Sequence, residues 1–274
     1  MASAKDTYAS VRERLKTAGV SEPDAKARVI VAEVLGIGLG DVLLHRKIDG
    51  ASITTIDEMA AKCAAGEPVA YVTGRAYFRH TALTVSPDVL IPRQETELVA
   101  EEAICLIRIN GYKKVLDLCT GSGCIAIAVQ TETGRETHAC DISENALLIA
   151  KQNAQTNNAD VRFFLSDMFS KVTPSYDIIV SNPPYVSNTE YDLLDEGVRL
   201  YEPRIALEAG DGLTFYRIIA NESPRYITKG GALVLEIGAA QGKAVTGLLE
   251  AAGFTDVICK KDYAGRDRIV TARR

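Results

Sequence analysis

The predicted fold depends most on residues 114–130, KVLDLCTGSGCIAIAVQ. The short apolar run from Lys114 to Leu118 predicts a buried β-strand, and Cys124 to Gln130 predicts the helix that follows it. Glycines in the loop between them let the backbone turn sharply and approach a ligand, while the first turn of the helix offers free N–H groups. The stretch therefore predicts a strand–loop–helix unit with a ligand site at its loop.

The same alternation of strand and helix continues toward the end of the chain. Further strands are predicted at 138–140, 161–165, 177–180 and 232–237, with helical patterns at 144–153, 212–219 and 242–252. This order predicts an α/β, Rossmann-like domain with a mostly parallel, doubly wound sheet. The last two strands, 257–260 and 268–271, are joined by a polar glycine-containing loop, which predicts an antiparallel hairpin on the sheet edge.

The sequence before this domain has a different character. Residues 1–70 carry apolar side chains at helical spacing and no cluster of catalytic groups, so we expect a small helical N-terminal domain that recognises the substrate. Residues 71–93 are expected to form a connecting β-hairpin, with Val69–Val72 and Leu83–Val85 as strand-like runs. The α/β domain then covers residues 94–274.

Composition and charge limit the classes of function. The formal net charge is −5, which weighs against broad contact with nucleic-acid phosphates. The six cysteines form no CxxC pair and the three histidines have no ligand-like spacing, so neither a metal site nor a disulfide framework is expected. No apolar run is long enough to predict a membrane-spanning segment. We expect a cytoplasmic protein, a monomer, without direct binding to nucleic acid or membrane.

The loop after the first strand of the α/β domain is the first candidate ligand site. Asp141 ends the next predicted strand, 20 residues after Gly121 (141 − 121 = 20), where a carboxylate accepts hydrogen bonds from ribose hydroxyls. The loop itself fits G-x-G-x-x-A from Gly121 to Ala126, so this pattern alone is equally typical of an NAD-dependent oxidoreductase.

Two further acids favour a different ligand. Asp117 lies at the tip of the strand, where it would repel a pyrophosphate but suits the ammonium group of a methionine. Asp167 follows the third strand and is placed to contact an adenine amine. The predicted ligand has a positive amino-acid end, an adenosine and no phosphate.

The fourth strand runs into Ser181-Asn182-Pro183-Pro184-Tyr185, the candidate reaction site. An amide or exocyclic aromatic nitrogen is a poor nucleophile because its lone pair is delocalised. Acceptors on its two N–H bonds, predicted to be the Asn182 side-chain oxygen and the Pro183 carbonyl, would turn the lone pair toward a sulfonium methyl and stabilise the developing charge. Neither proline has an N–H to compete, and Tyr185 offers an aromatic face. By itself the tetrapeptide leaves glutamine and adenine open as targets.

The chain resembles the HemK/PrmC family of release factor glutamine N5-methyltransferases over nearly its whole length. The resemblance is carried by residues 66–74, 91–97, 117–123, 181–185, 202–203, 211–213, 241–242 and by Asp262, Gly265 and Arg268. It implies methyl transfer from S-adenosyl-L-methionine, with S-adenosyl-L-homocysteine as product, to the glutamine of the Gly-Gly-Gln motif in class 1 peptide chain release factors.

Positions carried over from the family define the predicted site. The resemblance implies cofactor contacts at Cys119, Thr120, Gly121, Ser122, Gly123, Asp141, Met168 and Asn182, and the charge argument above adds Asp117 and Asp167. The substrate glutamine is held by Asn182, Pro183, Pro184 and Tyr185, of which Asn182, Pro183 and Tyr185 are assigned to catalysis. Cys119 stands where the family usually has glycine, and Met168 where it often has tryptophan.

Two other substrates use the same tetrapeptide. A DNA adenine-N6 methyltransferase would act on a flipped base, but the charge and the lack of a visible target-recognition domain count against it. A methyltransferase for a glutamine of a ribosomal protein usually diverges at the positions of Arg93 to Glu97. A non-catalytic binding module on the same scaffold would be expected to have lost Asp141 or Asn182.

Overall fold

The structure is a computed structural model that describes residues 3–173 and 175–274. The chain forms two compact units: the first runs up to Arg75 and includes Asp195–Tyr201, and the second comprises Ala76–Leu194 and Glu202–Arg274. Residues 195–201, which nothing in the sequence separates from their neighbours, therefore belong to the N-terminal unit.

In chain order, the described elements are α1 (Ala4–Thr17), α2 (Pro23–Leu35), α3 (Gly50–Ala64), α4 (Val69–Thr73), β1 (Arg75–Phe78), β2 (Thr81–Thr84), α5 (Gln94–Asn110), β3 (Lys114–Leu118), α6 (Cys124–Thr133), β4 (Glu136–Asp141), α7 (Glu144–Thr156), β5 (Val161–Leu165), β6 (Tyr176–Ser181), α8 (Asn188–Tyr191), α9 (Glu196–Tyr201), α10 (Thr214–Glu222), β7 (Ile227–Glu236), α11 (Gly242–Ala251), β8 (Thr255–Lys261) and β9 (Asp267–Arg273). Short 3₁₀ turns lie at Asp41–Leu43, Arg204–Ala206 and Ser223–Arg225.

The first unit is helical around one small apolar core. Leu15 of α1, Ile30 and Val31 of α2 and Ile56 of α3 are completely buried in it. These side chains recur at the spacing of one helix face, which is why the sequence predicted helices here.

The strand predicted at Val69–Val72 is wrong, because these residues form α4. The amide of Val72 donates to the carbonyl of Pro68 at 3.1 Å, and Gly74 ends the turn with a φ of +69°. Val72 packs into the core of the helical unit, and this packing outweighs the β preference of valine. The two-stranded hairpin is formed by β1 and β2 instead.

The second unit is built on a seven-stranded sheet with the order β5-β4-β3-β6-β7-β9-β8. Strands β5, β4, β3, β6 and β7 are parallel, while β9 and β8 form an antiparallel pair at the edge. This is the mostly parallel, doubly wound sheet with an antiparallel edge hairpin that the sequence predicted.

Both faces of the sheet are covered by helices. Successive strand residues point to opposite faces, so Val115 lies in the core under α5 and α6, whereas Leu116 lies in the core under α10 and α11. Ile178 and Ile179 of β6 divide in the same way. Burial on both sides explains why these strands are apolar throughout rather than alternating.

The sheet topology fixes where a ligand site forms. The chain leaves β3 toward β4 and β5, then returns to place β6 on the other side of β3 and continues to β7. Loops that diverge from neighbouring strand ends leave a crevice at their carboxyl ends. Leu118, the last residue of β3, pairs with Cys140 on one side and Ser181 on the other, so Cys119, Asp141 and Asn182 emerge side by side.

Candidate active site

A cavity of about 300 Å³ opens at these strand ends. Four segments that the sequence singled out contribute to its wall: the loop after β3, the end of β4, the end of β5 and the tetrapeptide after β6. The predicted residues on the wall are Cys119, Thr120, Gly121, Ser122, Asp141, Asp167, Met168, Asn182 and Pro184. Other lining residues include Arg93 just before α5, Thr96 in its first turn, Ile142 after β4, Ile205 in the 3₁₀ turn before α10, and Phe215 in α10.

The loop after β3 is held against the end of β4 by backbone hydrogen bonds. The amide of Thr120 donates to the carbonyl of Cys140 at 3.0 Å, and the amide of Gly121 donates to the Asp141 carboxylate at 2.8 Å. Gly123 then caps α6 with a φ of +83°, and an added Cβ there would lie 3.1 Å from Cβ of Ala150. Glycine at 123 thus serves a left-handed backbone and close helix packing together.

Cys119 adopts a left-handed backbone with a φ of +62°. This conformation explains why glycine is usual at the position, since a Cβ costs about 1 kcal/mol there. Met168, which follows β5, also has a positive φ, +42°, and its Sδ lies 3.8 Å from Sγ of Cys119. Two non-glycine residues in this region on one cavity wall are typical of a ligand site.

Asp141 presents its carboxylate at the end of β4 with acceptor positions still free. Its Oδ2 accepts from the amide of Gly121 at 2.8 Å, and its Oδ1 accepts from the amide of Ser143 at 3.0 Å. A carboxylate has about four acceptor positions, so two remain after these bonds are made. Burial raises the pKa of Asp141, while the backbone amides of Ser143, Gly121 and Ile142 oppose that rise.

Asp117 lies behind the loop rather than on the cavity wall of the described chain. Its side chain is completely buried, and Oδ2 accepts from the Thr120 hydroxyl at 2.6 Å and from the amide of Ala126 at 3.1 Å. Burial raises its pKa to about 7. Oδ1 has no hydrogen-bond partner among the described residues. Through the two bonds to Oδ2, this acid holds the loop from its buried side.

The tetrapeptide after β6 divides between the cavity and the core. Asn182 and Pro184 line the cavity, whereas Pro183 is buried and Tyr185 is not among the lining residues of the described chain. The Tyr185 carbonyl accepts from Nε2 of Gln241 at 2.9 Å, and its hydroxyl donates to Glu236 at 3.3 Å. Hydrogen bonds at the backbone carbonyl and at the hydroxyl therefore fix the position of the Tyr185 side chain.

Thr96 and Glu236 complete the environment of Asn182, and neither is among the site residues that the sequence predicts. The hydroxyl of Thr96 donates to Oε2 of Glu236 at 2.6 Å, and Nδ2 of Asn182 donates to Oγ1 of Thr96 at 3.2 Å. Thr96 and Glu236 are 2% and 1% exposed, so water does not compete for these bonds. The signal was present in the sequence: Glu236 is a lone acid in the apolar run 232–237.

Burial raises the pKa of Glu236 to about 7. The hydrogen bond from Thr96, the positive charge of Arg268 and the hydroxyl of Tyr185 oppose this rise, while the negative charge of Glu95 adds to it. Glu236 ends β7, directly beside the end of β6, since Leu235 pairs with Ser181.

The segment before α5 is anchored by a second buried acid. Glu202 has a side chain that is 1% exposed, forms an ion pair with Arg93 and accepts from the amide of Ile91 at 3.2 Å. Arg93 is itself on the cavity wall. This anchor gives a structural role to the family markers 91–97 and 202–203.

The charges and shape of the cavity fit S-adenosylmethionine. Among the lining residues of the described chain, Asp88, Asp141 and Asp167 are acidic, and Arg93 is the basic residue, already paired with Glu202. An acidic wall favours a ligand that carries an ammonium and a sulfonium, and it disfavours the pyrophosphate of a dinucleotide. The remaining acceptor positions of Asp141 suit a ribose diol.

Comparisons with known proteins agree with this site. Residues 103–199 match the methyltransferase small domain, and residues 6–74 match the PrmC N-terminal domain. A methyltransferase from Pyrococcus furiosus is similar in fold, with 16% identity, a TM-score of 0.53 and coverage of 79% of this chain and 98% of that one. The fold and the site define a class I, S-adenosylmethionine-dependent methyltransferase.

Full-length relatives give the family. A release factor glutamine methyltransferase from Cereibacter sphaeroides is 39% identical over 98% of both chains. Another from Agrobacterium fabrum is 35% identical over 97% of this chain and 95% of the relative. The chain belongs to the release factor glutamine methyltransferase family.

Proposed function

We propose that this enzyme transfers a methyl group from S-adenosylmethionine to the side-chain amide nitrogen (N5) of the glutamine in the Gly-Gly-Gln motif of class 1 peptide chain release factors. The observation that carries the proposal is the common cavity wall of Asn182, Pro184 and Asp141, which brings an amide-binding group next to a ribose-binding carboxylate. Relatives that align over nearly the full chain are named for the same activity.

The proposed chemistry is an in-line displacement. S-adenosylmethionine supplies a methyl group on a positively charged sulfur. The substrate nitrogen forms a bond to that methyl carbon while the carbon–sulfur bond breaks, its electron pair goes to sulfur, and one amide proton then leaves to solvent. The Asn182 side-chain oxygen accepts an N–H bond of the substrate and stabilises the charge that develops on nitrogen. Alignment of this kind supplies most of the acceleration.

The roles of the other site residues are part of the proposal. Cys119, Thr120, Gly121, Ser122 and Gly123 hold the cofactor through their backbone, and Asp141 binds the ribose. Asp167 and Met168 bind the adenine. We place Asp117 behind the loop, where its carboxylate favours the nearby ammonium group through charge rather than through direct contact.

The substrate glutamine is assigned to the tetrapeptide. We assign Asn182 and the Pro183 carbonyl as acceptors for its amide, and Pro184, which is on the cavity wall with Asn182, as its neighbour. Tyr185 is outside the lining of the described chain, so its contact with the substrate is assigned from the motif alone. The burial of Pro183 supports the carbonyl as a fixed, not a mobile, acceptor.

The partner and location follow from the same proposal. The helical unit, proposed as the substrate-recognition domain of residues 1–70, matches the PrmC N-terminal domain and is assigned to binding the release factor. A monomeric, cytoplasmic enzyme without direct binding to nucleic acid is proposed. Within residues 3–173 and 175–274, no helix is long and apolar enough to cross a membrane.

A methyl-transfer assay tests the proposal. The purified enzyme is incubated with S-adenosylmethionine labelled on its methyl group and, in parallel, with a class 1 release factor, the release factor with its Gly-Gly-Gln glutamine changed to alanine, a ribosomal protein mixture and DNA. We expect label on the unchanged release factor alone. Equal label on the alanine variant, or label on DNA or ribosomal protein instead, would contradict the assignment.

A further inference from the structure

The side chain of Asn182 belongs to a hydrogen-bonded chain that ends on a buried carboxyl group. Nδ2 of Asn182 donates to Thr96 at 3.2 Å, Thr96 donates to Oε2 of Glu236 at 2.6 Å, and the Tyr185 hydroxyl donates to Oε1 of Glu236 at 3.3 Å. Three different segments thus meet behind the reaction site: the first turn of α5, the end of β7 and the tetrapeptide after β6.

The direction of these bonds follows from their chemistry. An ionised carboxylate only accepts, so the single hydrogen of the Thr96 hydroxyl is committed to Glu236. Oγ1 of Thr96 can then only accept from Asn182, which requires the amino side of that amide to face Thr96. Oδ1 of Asn182 is therefore not used by Thr96. The reaction needs this oxygen as the acceptor for the substrate amide.

The burial of Thr96 and Glu236 makes their hydrogen bonds decisive for the orientation of the Asn182 amide. Thr96 is 2% exposed and Glu236 is 1% exposed, so no solvent replaces a lost partner. An asparagine with its amide reversed would present two donors to the substrate N–H group instead of an acceptor. The energy difference between the two orientations is therefore set largely by Thr96 and Glu236.

We propose that Thr96 and Glu236 are positioning residues that fix the amide of Asn182 with its oxygen toward the substrate glutamine. This inference rests on the proposed function, because it assigns the outward oxygen to the substrate amide. Neither residue is required to touch the substrate; both act through Asn182. The role also explains why a threonine stands in the first turn of α5 and an acid at the end of an apolar strand.

The first test compares three variants by steady-state kinetics with a release factor. Thr96→Val keeps the shape of the side chain but removes the hydroxyl, and Thr96→Ser keeps the hydroxyl. Thr81→Val is the matched control, since Thr81 is 8% exposed and its hydroxyl donates to the carbonyl of Phe78 at 2.8 Å, away from the cavity. Unfolding by urea is measured on all three, so that loss of stability is separated from loss of turnover.

We expect Thr96→Val to lower kcat about 100-fold, the effect of misplacing a reacting group, with little change in the KM for release factor. Thr96→Ser should retain most of the wild-type kcat, and Thr81→Val should lose stability but not kcat. The inference is overturned if Thr96→Val matches Thr81→Val in kcat, or if Thr96→Ser loses as much kcat as Thr96→Val.

A second measurement uses the titration of Glu236 and does not depend on Thr96 variants folding. The titratable and charged groups that face Glu236 are Glu95 from α5, Cys124 from α6, Tyr185 after β6, Tyr216 from α10 and Arg268 from β9. Below its pKa the neutral carboxyl donates to Thr96, the Thr96 hydrogen turns to Asn182, and the wrong side of the amide faces the substrate. Wild-type kcat should therefore fall as pH drops through about 7, and Glu236→Gln should lack this fall. Persistence of the same fall in Glu236→Gln would overturn the inference.

A third readout separates this inference from the proposed function. Nuclear magnetic resonance of protein with ¹⁵N-labelled asparagine reports the side-chain amide of Asn182 without any substrate. We expect its N–H signals to be protected from exchange in the wild type and exposed in Thr96→Val. Protection without methylation of release factor would defeat the proposed function alone, whereas rapid exchange in an active wild-type enzyme would defeat the positioning role alone.

Discussion

The change Asp141→Asn tests how the end of β4 holds the cofactor. The carboxylate accepts from the amides of Gly121 and Ser143 at 2.8 and 3.0 Å and keeps two acceptor positions for a ribose diol. Asparagine has nearly the same shape but one oxygen, and its amino group would face one of the two backbone N–H groups. The variant therefore loses one backbone bond and at least one bond to the ribose.

The expected losses of cofactor affinity and of stability follow from the strength of hydrogen bonds to a charged acceptor, each worth about 1.5–3 kcal/mol. Loss of one ribose bond at about 2 kcal/mol raises the dissociation constant for the cofactor about 30-fold, since 1.4 kcal/mol corresponds to tenfold. Loss of the backbone bond lowers the free energy of unfolding by about 2 kcal/mol through the unpaired amide of Gly121 or Ser143.

Isothermal titration calorimetry with S-adenosylhomocysteine and its 2′-deoxy analogue measures the loss of affinity and the contribution of the ribose contact to it. The wild type should bind the deoxy analogue more weakly than the parent compound, and Asp141→Asn should bind the two nearly alike. Glu144→Gln is the matched control, because Glu144 is an exposed acid in the first turn of α7. Urea unfolding of each variant gives the loss of stability independently.

One result would refute the assignment of Asp141 to the ribose. If Asp141→Asn binds S-adenosylhomocysteine as tightly as Glu144→Gln and still discriminates against the deoxy analogue, the diol is held elsewhere. If affinity falls while the discrimination stays at the wild-type level, the carboxylate acts only by holding the loop at Gly121.

Three further predictions concern the reaction site, a buried acid and a helix contact. Asn182→Ala should lower kcat by 100-fold or more, on the order expected for loss of one transition-state hydrogen bond, while calorimetry shows only a modest loss of S-adenosylhomocysteine affinity; an equal loss in both would contradict its role in the chemical step. Burial raises the pKa of Asp117 from 3.8 to about 7, so the folded protein binds more protons than the unfolded one in this range and its stability falls as pH rises. Asp117→Asn should reduce the difference between the free energies of unfolding at about pH 5 and about pH 8, and an unchanged difference in urea titrations would refute this. Gly242→Ala should cost about 1–3 kcal/mol, because its Cβ would lie 2.4 Å from Oδ2 of Asp267, whereas Gly247→Ala in the same helix meets nothing within 4 Å and should be neutral or stabilising; equal unfolding midpoints would contradict this.

Much of the second unit could be predicted from sequence, because the central strands of its sheet, such as β3 and β6, are buried on both faces. Such strands form short apolar runs, and each one ends at a polar or glycine-containing segment that marks its boundary. The predicted runs 114–118 and 161–165 agree with β3 and β5, and the antiparallel edge hairpin is confirmed as β8 and β9.

The sequence predictions of structure are wrong or incomplete where contacts between residues far apart in the chain determine the local structure or the site. Val69–Val72 has β-preferring residues, yet packing into the helical core makes it a helix. Residues 195–201 belong to the first unit although the chain around them belongs to the second. Thr96 and Glu236 are separated by 140 positions, so no local pattern joins them.

The sequence by itself determined the local chemistry: a glycine loop after one strand, an acid after the next and Asn182-Pro183-Pro184-Tyr185 after the fourth. Only the tertiary structure decided that β6 lies beside β3, which places Asn182 next to Cys119 and Asp141 on one cavity wall. It also decided which end of the Asn182 amide faces outward, through Thr96 and Glu236. The physical reason is that strand order and buried hydrogen bonds depend on residues far apart in the chain, whereas motifs depend on neighbours.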